Sequence, residues 1–209
     1  MTSEKSPARR GRPVDPEIEP RVFQAALEVY REAGWAGFTI DAVARRAKVG
    51  KAAIYSRWST KQELAAAAFT SLRRPDFSED VSGGVREELR QVARRVVNRY
   101  VGPHGLTSLR IQLEAKVYPE ALGEAMDAIR VTTIERAGQV LTAAVERGEL
   151  PSDTDPSLVR DALIGTIIHR TLMMSEQERA ETAADPSRLV EQVVDFVLSG
   201  VAGTGSSAD

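Results

Sequence analysis

Between Thr39 and Leu64 the chain reads TIDAVARRAKVGKAAIYSRWSTKQEL, and this stretch constrains the fold more than any other. Ile40, Val43, Ala44 and Ala47 recur at helical spacing; Lys48, Val49 and Gly50 break the pattern, and Ile54, Tyr55 and Trp58 resume it. The expectation is a helix, a tight turn and a second helix. Ala44 falls where the two would cross most closely, so a larger side chain there would push them apart, while Val49 and Ile54 fill the angle between them. In such a motif the second helix is carried on the first and enters the DNA major groove, where the side chains at its start reach base edges.

The charge distribution agrees with that reading. Residues 1–75 carry 14 Lys and Arg against 8 Asp and Glu, a balance of +6, whereas 76–209 carry 14 against 22, a balance of -8. The basic part holds the motif, which favours nucleic-acid binding there because phosphate neutralisation dominates such affinity. Other chemistries find little material. The chain has no cysteine and two histidines, His104 and His169, which excludes thiolate chemistry and leaves few ligands for a transition metal. No Gly-rich phosphate loop or nucleophile motif is present, and no metal or other cofactor and no enzyme is expected. No apolar run approaches the ~20 residues of a membrane span, and the N-terminus lacks an apolar targeting segment, so the expectation is a cytoplasmic protein without a membrane partner.

The segment AVARRAKVGKAAIYSRWSTKQEL resembles the DNA-binding motif of the TetR family of transcriptional regulators. The resemblance is close over the first third of the chain and otherwise confined to helical layout and length. It implies an all-α protein, with an N-terminal three-helix helix-turn-helix domain and a C-terminal helical domain for ligand binding and dimerisation. Two positions depart from the pattern. Lys48 stands in the turn where the family often has glycine, at a cost of ~1–2 kcal/mol if left-handed. Gly50 stands where a serine usually caps the recognition helix, weakening that start by a few tenths to ~1 kcal/mol.

In chain order, residues 1–18 read as a flexible basic arm. Its Arg9, Arg10 and Arg12, in an RGRP context, resemble an AT-hook that would lie in a narrow A·T-rich minor groove; a solvated basic tail is the alternative. Residues 19–75 form the expected DNA-binding domain. Its first helix runs from Pro20 to Ala33 with Gly34 as its stop, and Trp35 and Phe38 close the corner behind it. Thr39 caps the second helix, where its hydroxyl and the free amides can meet a phosphate. Along the recognition helix, Lys51 to Trp58, the positions left facing the groove are Lys51, Ala52, Ala53, Tyr55 and Ser56. Lys51 and Lys48 are the base or phosphate donors, and the alanines suit a thymine methyl. The family resemblance implies that Tyr55 and Lys61 grip phosphates. Thr60 and Glu63 read as a capping box opening a fourth helix that reaches Arg74, ahead of Pro75.

Residues 76–200 form the expected second domain, which opens on a polar stretch to Gly84 and reads as helix from Val85 onward, with 201–209 as a disordered tail. Expected helices run from Val85 to Tyr100, Leu106 to Tyr118, Pro119 to Gly148, Pro156 to Ser175 and Pro186 to Leu198, the third with Leu122 and Ile129 among its inward positions. Leu158, Ala162, Gly165 and His169 share one face of the fourth, and Leu189, Val193, Phe196 and Val197 one stripe of the last. Together they predict a four-helix interface between two copies, with intramolecular core as the alternative. The polar interruptions Arg110, Glu114, Tyr118, Thr166, His169 and Arg170 mark the expected walls of a small-molecule effector pocket. The family resemblance implies a homodimeric regulator, a ligand-responsive repressor that binds a near-palindromic double-stranded operator and leaves it when an effector binds. The competing reading is a helical protein-interaction module that has lost specific DNA binding.

Overall fold

The computed structural model describes residues 17–72 and 83–204, with side chains at 124–133 and 202–204 outside the description. Arg9, Arg10 and Arg12, the expected break at Pro75 and the inward side chain of Ile129 therefore lie outside the described residues. Ten helices and no strand make up the described regular structure.

The first four helices are α1 (Ile18–Gly37), α2 (Ile40–Ala47), α3 (Lys51–Tyr55) and α4 (Lys61–Thr70). They close around Val22, Ala26, Tyr30, Phe38, Val43, Ile54, Leu64 and Phe69, each at most 1% exposed. The aromatic packing is edge-on where rings meet at the centre, with Tyr30 and Phe69 centroids 4.8 Å apart at 77°, an arrangement that adds to their area burial. Helix α1 begins at Ile18, two residues before Pro20 and inside the expected arm, because the Ile18 side chain packs on this core. It is also kinked. Gly34, at φ 63° and ψ -170°, interrupts the helical backbone where the sequence placed the stop, and one further turn follows to Gly37.

The turn between α2 and α3 is as tight as its sequence required. Lys48 adopts the left-handed conformation, φ 55° and ψ 42°, and is the one non-glycine with positive φ among the described residues. The amide of Val49 then returns to Ala44 O at 3.1 Å, which satisfies a carbonyl at the end of α2. Helix α3 is shorter than expected: its α-helical part stops at Tyr55 instead of Trp58, and Gly50 provides no side-chain cap. Trp58 still reaches the core, meeting Phe23 with ring centroids 5.4 Å apart. Helix α4 ends at Thr70, short of Arg74.

The remaining helices are α5 (Gly84–Val101), α6 (Gly105–Val117), α7 (Pro119–Glu146), α8 (Pro156–Met173), α9 (Glu176–Ala184) and α10 (Ser187–Thr204). Aliphatic residues of α5, α7, α8 and α10 build a second core, including Leu89, Val96, Leu141, Leu163, Ile167 and Val194, all 0% exposed. The two cores meet at α6 and the start of α7, whose Ile111, Ala115 and Leu122 pack into the first. Sequence reasoning ran α8 on to Ser175 and missed α9. Ser175 instead caps α9 in a complete capping box with Glu178, and α9 escaped a search for apolar periodicity because it buries no residue. Helix α10 continues to Thr204, four residues past the expected end of the domain, with Val201 packed in the second core.

Candidate nucleic-acid interface

Thr39 sits at the entry to α2 in extended conformation, its hydroxyl accepting from the Ala42 amide at 3.1 Å. Thr60 repeats this at α4, accepting from the Glu63 amide at 3.1 Å, while the Glu63 carboxylate accepts from Ser59 N at 2.7 Å. These two helix starts flank Tyr55, and together with Asp41, Ser59 and Lys61 they line one open cleft of about 470 Å³. Thr39, Tyr55 and Lys61, singled out separately in the sequence, are thus neighbours around one concavity. Two helix N-termini and an ammonium beside one cleft suit an anion such as a phosphate.

Tyr55 is 51% exposed. Lys48, Lys51, Ala52 and Ser56 are exposed and Ala53 half-buried, while Ile54 and Trp58 on the opposite side are buried. Lys51 does not project freely: its ammonium pairs with the carboxylate of Asp41 on α2. Lys61 is anchored too. Its ammonium lies 4.1 Å from the centroid of the Trp35 ring and donates to Trp35 O at 3.3 Å. Asp41 and Trp35 were not among the predicted site residues. Helical spacing within one element carries no signal for either contact, since each joins different helices.

The six residues expected to wall an effector pocket do not form one site. Glu114 and Arg110 on α6 are bound to the first domain: Glu114 accepts from Tyr30 Oη at 2.6 Å, Trp35 N at 2.7 Å and Arg110 Nε at 3.0 Å. Arg110 also donates to Arg31 O at 2.9 Å. Burial alone would raise the Glu114 pKa, but these hydrogen bonds outweigh it and hold the carboxyl below its usual range. The same contact, with burial as the larger cause, pushes the Tyr30 hydroxyl well above the usual tyrosine range. Tyr118, 38% exposed, caps neither helix beside it through its side chain.

Thr166, His169 and Arg170 instead line an open groove of about 930 Å³ between α8, α9 and α10. Leu189, Val193 and Phe196 from the expected dimer stripe line it as well. That stripe divides: Leu189, Val193 and Val197 are at most 5% exposed and belong to the second core, whereas Phe196 is 68% exposed. On α8, Leu158 is 68% exposed, Gly165 exposed and Ala162 half-buried. The period of α10 could not separate the two roles, because Val193 and Phe196 are three residues apart on neighbouring positions of one face, yet one is 3% and the other 68% exposed.

Residues 22–68 match the family model described as bacterial regulatory proteins, tetR family, and residues 80–198 match the tetracyclin repressor-like C-terminal domain. An uncharacterized HTH-type transcriptional regulator of Mycobacterium tuberculosis is 30% identical over 192 residues, covering 90% of this chain and 91% of that protein. The DNA-binding transcriptional repressor TetR of Mycobacteroides abscessus is 31% identical over 163 residues, 71% of this chain and 79% of that one. The fold is shared with the transcriptional regulator FadR from Bacillus subtilis, solved in complex with stearoyl-CoA. The TM-score is 0.67 at 20% identity, covering 87% of this chain and 98% of that one. No helix among the described residues is long and apolar enough to cross a membrane.

Proposed function

This chain belongs to the tetR family of bacterial regulatory proteins, DNA-binding regulators of transcription, and we propose that it works as a homodimeric repressor released from a near-palindromic operator by a small-molecule effector. The observation that carries the reading is the gathering of Thr39, Tyr55 and Lys61 around one cleft beside the exposed face of α3. In the docked complex, the cleft receives a phosphate, Lys51 and Lys48 supply further donors, and Ala52, Ala53 and Ser56 approach base edges. With so few side chains reading bases, DNA shape and the arginine arm supply much of the preference. The protein acts by binding and not as an enzyme.

The second copy lies on α8 and α10. Leu158, Leu172, Met173 and Phe196 are large apolar side chains between 47% and 68% exposed there, a concentration that marks an interaction surface. Ala162 and Gly165 permit close helix approach, and Leu189, Val193 and Val197 support the face from beneath. Laid on this face, the partner roofs the groove, enclosing Thr166, His169 and Arg170 between subunits as candidate effector contacts. Arg110 and Glu114 leave the effector set. An effector shifts DNA affinity only to the extent that it binds the two arrangements of the heads unequally; a coupling of ~1–3 kcal/mol corresponds to ~5- to 150-fold.

Selection of bound duplexes from a random pool by the purified protein tests this reading. The expected result is an inverted repeat bound by a dimer. Recovery of no sequence above background would favour the interaction-module reading.

A further inference from the structure

Trp35 is contacted from both domains through a single residue. Its amide donates to Glu114 Oε2 on α6 at 2.7 Å, and its carbonyl accepts from Lys61 Nζ at 3.3 Å, with that ammonium also over its ring at 4.1 Å. Trp35 is 5% exposed, its ring stacked on Phe38 with centroids 6.0 Å apart at 17°. It follows directly on the kink at Gly34, so its amide is not tied into a continuing helix and is open to an outside acceptor. We propose that Glu114 is a positioning residue for DNA binding: through Trp35 it sets where the ammonium of Lys61 stands at the phosphate cleft.

The arrangement has the parts such a relay needs. Glu114 is itself fixed by Arg110, and Arg110 by Arg31 O on α1, so the carboxylate has one place to stand relative to the kink. Tyr30 Oη donates to the same oxygen as the Trp35 amide. Its removal weakens the hold without touching Trp35. An indole face and a carbonyl together confine an ammonium that would otherwise sample the full reach of a lysine side chain. A movement of α6 that withdraws Glu114 releases the Trp35 amide and, with it, the ring and carbonyl that hold Lys61. The effector domain thereby acts on a phosphate contact without approaching the DNA.

This inference rests on Lys61 contacting phosphate in the proposed complex, and a double-mutant cycle separates the two claims. The full-length wild type, Glu114→Gln, Lys61→Ala and the double variant are titrated with the selected duplex, folding being verified by circular dichroism. Glu114→Gln is expected to weaken binding about fivefold or more, the lower end of coupling between distinct sites. In the Lys61→Ala background the same change is expected to have little further effect, because its route is gone. Tyr30→Phe, which removes only a hydroxyl, should act in the same direction more weakly and stands in if Glu114→Gln does not fold. Full additivity of Glu114→Gln and Lys61→Ala, or unchanged affinity in both Glu114→Gln and Tyr30→Phe, would overturn the relay while leaving the docking intact. Unchanged affinity in Lys61→Ala alone would overturn the docking and the relay with it.

Discussion

Replacing Gly34 by alanine perturbs the junction where the DNA-binding head meets the rest of the chain. At φ 63° and ψ -170° the residue occupies a region essentially reserved for glycine, and holding another residue there costs ~1–3 kcal/mol. A Cβ would also overlap Arg110 Nη2 and Glu114 Oε1, well inside van der Waals contact distance, so something must shift. Those side chains can retreat only by loosening hydrogen bonds to a charged group, each worth ~1.5–3 kcal/mol. We therefore expect Gly34→Ala to destabilise the protein by about 2.5–6 kcal/mol, the backbone share plus one loosened hydrogen bond, a large part of the ~5–15 kcal/mol typical of a folded domain. The assay is urea denaturation at fixed protein concentration, since the stability of the proposed dimer would depend on concentration. Gly138→Ala is the control: it lies in α7 with nothing within 4 Å of the added methyl, and should gain ~0.5–1 kcal/mol from helix propensity. In an Arg110→Ala, Glu114→Ala background the clash disappears and the Gly34→Ala cost should fall to the backbone share of ~1–3 kcal/mol. A loss under ~1 kcal/mol for Gly34→Ala in the otherwise unchanged chain would refute the reasoning.

Other expectations follow from the same geometry. The Glu114 carboxyl is held below its usual range in the folded protein, so its contribution is fully present above the unfolded value, near 4.5, and is lost as pH falls through the folded value. The stability gap between wild type and Glu114→Gln, measured by urea titration from neutral pH downward, should therefore narrow on acidification; a gap that widened would contradict the assignment. Leu158→Glu and Phe196→Glu, both at residues 68% exposed, should yield folded monomers by light scattering, whereas a dimer of unchanged mass would move the interface elsewhere. Gly50→Ser should supply the missing cap of α3 and raise stability by a few tenths of a kcal/mol, visible as a small upward shift in thermal midpoint. No shift would mean that α3 is set by packing of Ile54 and Trp58 alone.

The elements most legible in the sequence were those that local rules determine. Thr39, Thr60 and Asp155 cap α2, α4 and α8 through their side chains, and Pro119 and Pro156 stand at the starts of α7 and α8, because capping and proline chemistry operate within one turn. The turn at Lys48 was legible for the same reason. What escaped notice depends on separation in the chain. Glu114 was assigned to a pocket because helical spacing offers it only Arg110, four residues back, and its other partners, Trp35 and Tyr30, lie 79 and 84 residues away. Lys51 was read only as a groove-facing donor because Asp41 becomes its neighbour when the turn folds α3 back on α2. Val193 and Val197 were assigned to a partner copy because a stripe of valines reads the same whether the surface it meets is intramolecular or not.

The central claim is that the cleft beside α3 and the basic residues around it bind duplex DNA by neutralising phosphates. The most direct test is the dependence of affinity on salt for the selected duplex. If several phosphates are contacted per dimer, the logarithm of the association constant should fall linearly and steeply with the logarithm of salt concentration. A loss on the order of a thousandfold between about 50 and 200 mM is expected for roughly six contacts, and Lys61→Ala should make the slope shallower by about one per lysine removed. A salt-independent affinity, or equal binding to the selected and a scrambled duplex, would contradict the account.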